Sequence, residues 1–292
     1  MLENFEIKAA EDLTIRGTVF YGSDEQIEKK PVIILAHGFK GFKNWGFFPY
    51  TAQQFTKHGF IAITFNFSMN GVGEDLLSFT EMDKFSENTY HREIEDLNEI
   101  VSAIEDDTLP YAELMDKESL YLLGHSKGGA TVLLYTRENE EKINGVATWN
   151  AISQADLFHE ELKKEIRENG TGYIYNGRTK EYMPVKQKAV EDVESNHERY
   201  DIIQAVQETE TAKLFIQGGE DAPKLTAGAK ELNKNAENGR LEWIETGSHT
   251  FNTAHPFEQS SPELEKAISS TVNFFKVQEK MKEKEKDGKE KE

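Results

Sequence analysis

The chain has 292 residues and a net charge of −19, from 53 acidic against 34 basic side chains, so its field repels phosphate backbones and anionic membrane surfaces. Nucleic acid and membranes are therefore not expected partners, and the absence of cysteine removes disulfides, thiolate–zinc sites and a cysteine nucleophile. The hydrophobic fraction of 37% is close to that of a globular protein once the 21 glycines are added.

The N-terminus, MLENFEIKAAED, has neither a basic start nor an apolar core of about seven residues, and no apolar run approaches the ~18 residues of a membrane span. A cytoplasmic protein is the expectation. Segments 4–9 (NFEIKA) and 13–21 (LTIRGTVFY) suit two antiparallel strands joined by a tight turn at 10–12. From Pro31 the pattern changes: PVIILAH, FIAITFNF, SLYLLGH, INGVATW and AKLFIQG are short, nearly continuous apolar runs, as strands covered on both faces of a parallel sheet require. A further strand is expected at 240–244. Between the strands, helical spacing appears over 47–58, 89–104, 128–138, 225–235 and 262–281. Alternating buried strands and helices predict one α/β domain over residues 1–279: a mostly parallel, twisted sheet with helices on both faces.

Residues 150–211 interrupt the alternation. Helical spacing over 155–168 is followed by TGYIYNGRTKEYMP, where Asn176-Gly177 predicts a hairpin with a two-residue turn, and then by a second helical stretch over 185–193. This insertion is expected to cover the carboxyl edge of the sheet as a small cap or lid; an ordinary surface excursion is the alternative. Residues 280–292 mix both charge signs with almost no apolar side chain, which predicts a solvated, unfolded tail.

The chemistry centres on Gly124-His125-Ser126-Lys127-Gly128, placed after the strand ending near 123 and opening the helix at 128. A serine in that setting sits on a sharp strand-to-helix turn that needs both glycines and aims a helix N-terminus at negative charge formed during attack. A hydroxyl needs a base, and hydrolases built on such an elbow run Ser, acid, His along the chain. Of the eight histidines, His249 fits, in a glycine-containing loop after strand 240–244, while His255, beside Pro256, is expected to pack or cap the last helix. For the acid, Gly218-Gly219-Glu220-Asp221 follows the strand over 212–217; Asp221 is preferred to Glu220 by loop spacing, the alternative being that both are merely solvated. The oxyanion donors expected are the backbone N–H groups of Lys127 and of Phe39, the latter in His37-Gly38-Phe39-Lys40-Gly41, with His37 ordering that loop. No metal-ligand set accompanies His37, and Gly71-Val72-Gly73 reads as a turn, lacking a third glycine and flanked by Glu74 and Asp75.

LAHGFKGF, GHSKGG, IQGGEDAP and TGSHTFNTAHPF together make residues 31–278 resemble α/β-hydrolases of the dienelactone-hydrolase-like and feruloyl or cinnamoyl esterase branch. The resemblance implies the α/β-hydrolase fold, a catalytic triad of Ser126, Asp221 and His249, an oxyanion hole from Phe39 and Lys127, and no cofactor. Dienelactone hydrolases proper carry cysteine at the elbow, so Ser126 points to ordinary small-molecule esters, cleaved through an acyl-enzyme. Thioesterases, acyltransferases and prolyl-oligopeptidase-like peptidases share the triad. The acidic stretch 74–107 argues against polyanionic acyl donors, and a non-catalytic binding protein of this fold would be expected to have lost a triad member.

Overall fold

The structure is a computed structural model that describes residues 1–22 and 28–289. Two antiparallel strands, β1 (Leu2–Ala10) and β2 (Leu13–Phe20), lead into β3 (Lys30–Ala36), α1 (Phe48–Lys57) and β4 (Ile61–Asn66). A short α2 (Met82–Ser86) and the long α3 (Tyr90–Glu105) precede β5 (Met115–His125), α4 (Lys127–Glu138) and β6 (Gly145–Trp149). The insertion holds α5 (Glu160–Asn169), β7 (Thr171–Asn176), β8 (Glu181–Lys186), α6 (Gln187–Ser195) and α7 (Ile202–Glu208). The chain returns to the sheet with β9 (Lys213–Gly218), α8 (Pro223–Asn235) and β10 (Gly239–Ile244), and ends in α9 (Pro262–Lys289).

The main sheet has eight strands in the order β1-β2-β4-β3-β5-β6-β9-β10. All neighbours from β4 to β10 run parallel, and β2 joins β4 antiparallel. Alternation along each strand splits the core in two, because successive side chains leave a strand on opposite faces. Val32, Ile34 and Ala36 of β3 face a cluster built with Leu97, Ile100 and Ile104 of α3 and Val132 and Leu133 of α4. Ile33 and Leu35 face the other cluster, with Phe55 of α1 and Leu264, Ile268 and Phe275 of α9. Burial of each such Val, Leu, Ile or Phe side chain is worth ~1.5–3 kcal/mol. The two edge strands carry charges: Glu3, Glu6 and Lys8 on β1, Arg240 and Glu242 on β10.

Three expectations are corrected. The hairpin turn is four residues long, not two: β7 ends at Asn176, which pairs with Glu181 at the start of β8. Asn176 is buried, its Oδ1 accepts from Arg178 N–H at 3.2 Å, its carbonyl accepts from Lys180 N–H at 2.9 Å, and Lys180 adopts the left-handed conformation (φ 62°) that the dipeptide rule gives to the glycine. The first insertion helix starts at Glu160 rather than at 155, capped by His159, whose Nδ1 accepts from Leu162 N–H. The charged C-terminal stretch continues α9 as helix to Lys289, and Lys282 and Lys286 reach back to Glu118 at the start of the apolar part of β5; residues 290–292 lie outside the described residues. The insertion also has a small core of its own, formed by Leu162, Ile166, Val185, Ala189 and Val190.

Candidate active site

Ser126 occupies the junction between β5 and α4 with φ 56° and ψ −119°, a conformation L side chains rarely adopt. The surrounding chain forces it. Ser126 N–H donates to Trp149 O at 2.9 Å, and a Cβ on Gly124 would stand 2.2 Å from Gly128 O, while one on Gly128 would stand 2.5 Å from the carbonyl oxygens of Ala36 and His37. Only glycines let strand, turn and helix approach this closely. The result places the serine at the N-terminus of α4, where the helix dipole favours developing negative charge.

His249 and Asp221 lie on loops after β10 and β9, and the structure brings them together: His249 Nδ1–H donates to Asp221 Oδ2 at 2.8 Å. Burial alone would raise the Asp221 carboxyl, but the bonds from His249, from Ala222 N–H at 2.7 Å and from Gln217 Nε2 at 3.3 Å outweigh it and hold the pKa below the usual value. The group is an ionised acceptor at neutral pH. Glu220, the alternative acid, is exposed and offers only its backbone N–H, to Gly247 O. His255, the rejected base, accepts from Gly46 N–H at 3.0 Å and lies parallel to Trp45.

The loop from His37 to Gly41 runs alongside Ser126. A Cβ on Gly38 would be 2.9 Å from Ser126 Cβ, so this backbone can approach only as glycine. Gly41 N–H closes the turn onto Gly38 O at 2.9 Å with Lys40 left-handed at φ 57°. His37 orders the loop: Nδ1–H donates to Gly38 O at 2.9 Å and Nε2 accepts from Phe67 N–H and Asn70 Nδ2, both at 3.3 Å. Burial lowers its pKa to about 4, which keeps that tautomer neutral. Phe39 and Lys127, the expected oxyanion donors, both border the cavity that Ser126 and His249 share.

That cavity has a volume of about 500 Å³. Its wall combines Trp45, Phe48 and Phe39 from the sheet domain with Leu157, Phe158, Ile174 and Arg178 from the insertion. The insertion thus shapes the space in front of the serine. Lys127 turns its side chain away beneath the elbow, where Nζ pairs with Glu93 at 2.5 Å and sits over the Tyr90 ring.

Two residues that hold the site escaped the sequence reading. Asn150, buried and left-handed at φ 49°, donates from Nδ2 to His249 O at 2.9 Å and Ser248 O at 3.3 Å, and accepts from Gly218 N–H at 2.7 Å. One side chain thereby ties the acid strand to the histidine loop. His125 donates from Nε2 to the same His249 carbonyl at 2.8 Å, with a pKa lowered by burial to about 3. Their signal was positional: His125 stands inside the elbow motif and Asn150 directly follows a parallel strand at the carboxyl edge. Among the described residues, no group of three or more His, Asp or Glu is placed to hold a metal ion, and no helix is long and apolar enough to cross a membrane.

The sequence profile of the alpha/beta hydrolase fold matches residues 31–171. Est1E from Butyrivibrio proteoclasticus, in a structure with ferulic acid bound, superposes with a TM-score of 0.70 at 15% identity, covering 94% of this chain and 98% of its own. The chain has the α/β-hydrolase fold. The same fold relates it to the monoacylglycerol lipase of Paleococcus ferrophilus (TM-score 0.61, 14% identity, 86% of this chain and 97% of that one). It also relates it to the acylaminoacyl peptidase of Pyrococcus horikoshii (0.62, 16% identity, 94% of this chain and 41% of that one). Comparison with curated protein sequences finds no match. Among such α/β-hydrolase-fold structures the reactions differ, so the chemistry of this chain is set by its own site.

Proposed function

We propose that the protein is a serine hydrolase that cleaves carboxylic esters through an acyl-enzyme, with Ser126 as nucleophile, His249 as base and Asp221 as the acid that orients it. Ser126 Oγ attacks the ester carbonyl while His249 Nε2 takes its proton, and the N–H groups of Phe39 and Lys127 receive the oxyanion, each such donor being worth ~3 kcal/mol. Collapse expels the alcohol, which takes the proton back from His249. Water, activated by the same imidazole, then releases the acid. Asp221 stays ionised throughout and stabilises the imidazolium. The observation that carries this reading is the 2.8 Å bond from His249 Nδ1 to Asp221, on a histidine that shares one cavity with a serine held at φ 56°.

A fluorophosphonate probe tests it: Ser126 should be labelled, and Ser126→Ala should lose both labelling and hydrolysis of p-nitrophenyl esters by roughly a thousandfold or more. Labelling that persists in the variant, or maps to another serine, overturns the assignment. Running methyl ferulate beside the p-nitrophenyl series tests the feruloyl-esterase-like branch.

A further inference from the structure

The cavity in front of Ser126 carries two cations that the hydrolytic steps leave unused. Arg178, on the turn of the insertion hairpin, lays its guanidinium 5.0 Å from the Trp45 ring centroid and donates from Nη2 to the Lys40 carbonyl. Lys40 sends Nζ to Tyr175 O at 3.3 Å. These contacts tie the hairpin to the loop beside Ser126 and fix both charges at the cavity wall. Among the described residues neither cation has a carboxylate within ion-pairing distance, in a chain with 53 acidic side chains against 34 basic ones. Lys127 gives the contrast, since it borders the same cavity but its charge is met by Glu93. Among the described residues no Asp or Glu lines the cavity. Partial burial already costs both groups, lowering the pKa of Lys40 and of Arg178 from their usual values.

A guanidinium has five N–H donors in a planar fork that matches a carboxylate, and Arg178 spends one on Lys40 O. Its ring stacking and its backbone bond hold it in place before any ligand arrives. The space of about 500 Å³ suits one small molecule. The net charge of −19 weighs against polyanions and leaves a single carboxylate as the fitting partner.

We infer that the substrate is an ester carrying a carboxylate, which Arg178 binds with Lys40 beside it while Ser126 faces the ester carbonyl. This rests on the hydrolytic reading above. The carboxylate can belong to the acyl part or to the alcohol, and two pairs of esters separate these sources: monomethyl against dimethyl glutarate, and 4-acetoxybenzoate against its methyl ester. The wild type should prefer the charged member of one pair by roughly tenfold in kcat/KM, mostly through KM, and added salt should shrink the preference. Arg178→Gln should bring that ratio close to one, and Arg178→Lys should restore part of it. A general disturbance of the hairpin would lower both members alike. A ratio unchanged in Arg178→Gln, or a wild type that favours the neutral member of both pairs, overturns the inference. If Ser126 takes no probe and no ester is cleaved, the hydrolytic reading falls on its own, and calorimetry with monomethyl glutarate, a single carboxylate, still decides the anion site. Binding that is lost in Arg178→Gln and kept in Arg178→Lys upholds the site, whereas equal binding or none overturns it.

Discussion

Asn150 is the residue whose loss should most sharply separate holding the site from performing its chemistry. Truncation in Asn150→Ala leaves the Gly218 N–H without its 2.7 Å partner, while the His249 carbonyl keeps the bond from His125. One orphaned buried donor costs ~1–3 kcal/mol. Alanine must also hold φ 49°, which costs about 1 kcal/mol more than asparagine or glycine there. The sum is about 2–4 kcal/mol of folding stability, read as a shift in the guanidinium midpoint at unchanged m. Asn150→Gly removes the side chain without the backbone penalty and should recover about 1 kcal/mol of that loss. Because the side chain spans the acid strand and the histidine loop, kcat should fall by roughly tenfold or more even under conditions where the variant is fully folded. A folded Asn150→Ala within about 0.5 kcal/mol of wild type, with unchanged kcat, would refute the claim that this side chain joins the two loops.

Asp221→Asn should lower kcat by roughly a thousandfold by leaving His249 in the wrong tautomer, whereas Glu220→Gln, at an exposed side chain, should stay within about threefold; steady-state kinetics of the two compares them directly. Replacing residues 173–182 with a short Gly-Ser link removes Ile174 and Arg178 from the cavity wall, so the ratio of bulky to small ester hydrolysis should change while p-nitrophenyl acetate is still cleaved. His37 and His125 are held neutral, with folded pKa values of about 4 and about 3 against 6.5 unfolded, so the unfolded state binds more protons and the stability they supply is full above pH 6.5 and lost as pH falls below it. Buried Asp96, raised from 3.8 to about 7, acts in the opposite sense over its own window. Denaturant titrations at pH 5 and 7 should therefore show a dependence of stability on pH that is smaller by about 0.7 proton in His37→Gln.

The parallel strands were legible because each had to be apolar on both faces, and the elbow because its glycines are dictated by backbone approach. The Ser–acid–His order singled out His249 and Asp221 without contact information, and the two are hydrogen-bonded at 2.8 Å. The insertion was harder to read. Its helix at 160 begins late because Leu157 and Phe158, in a non-helical run, line the cavity, and its turn is four residues long because Asn176 is turned inward; both are tertiary demands that override local propensity. Asn150 and Arg178 escaped because a single polar residue declares its role only through partners distant in the chain: Gly218 and His249 for one, Trp45 and Lys40 for the other. The C-terminal charges misled in the other direction, since a stretch with almost nothing to bury is still carried as helix on the end of α9, with Lys282 and Lys286 anchored at Glu118.

The charged margins of the sheet bear on how copies of this chain meet. An open eight-stranded sheet ends in two rows of unsatisfied backbone groups, which would otherwise invite a second sheet to add on and the addition to repeat. On β1 the side chains of Glu3, Glu6 and Lys8 must be desolvated for that to happen, and on β10 those of Arg240 and Glu242, the latter already engaged by Lys266. Fibre-like growth through the strand margins is thereby opposed at both ends by residues that have no part in the site. Replacing them with threonine or valine would leave the fold's interior untouched and turn a self-limiting sheet into one able to polymerise.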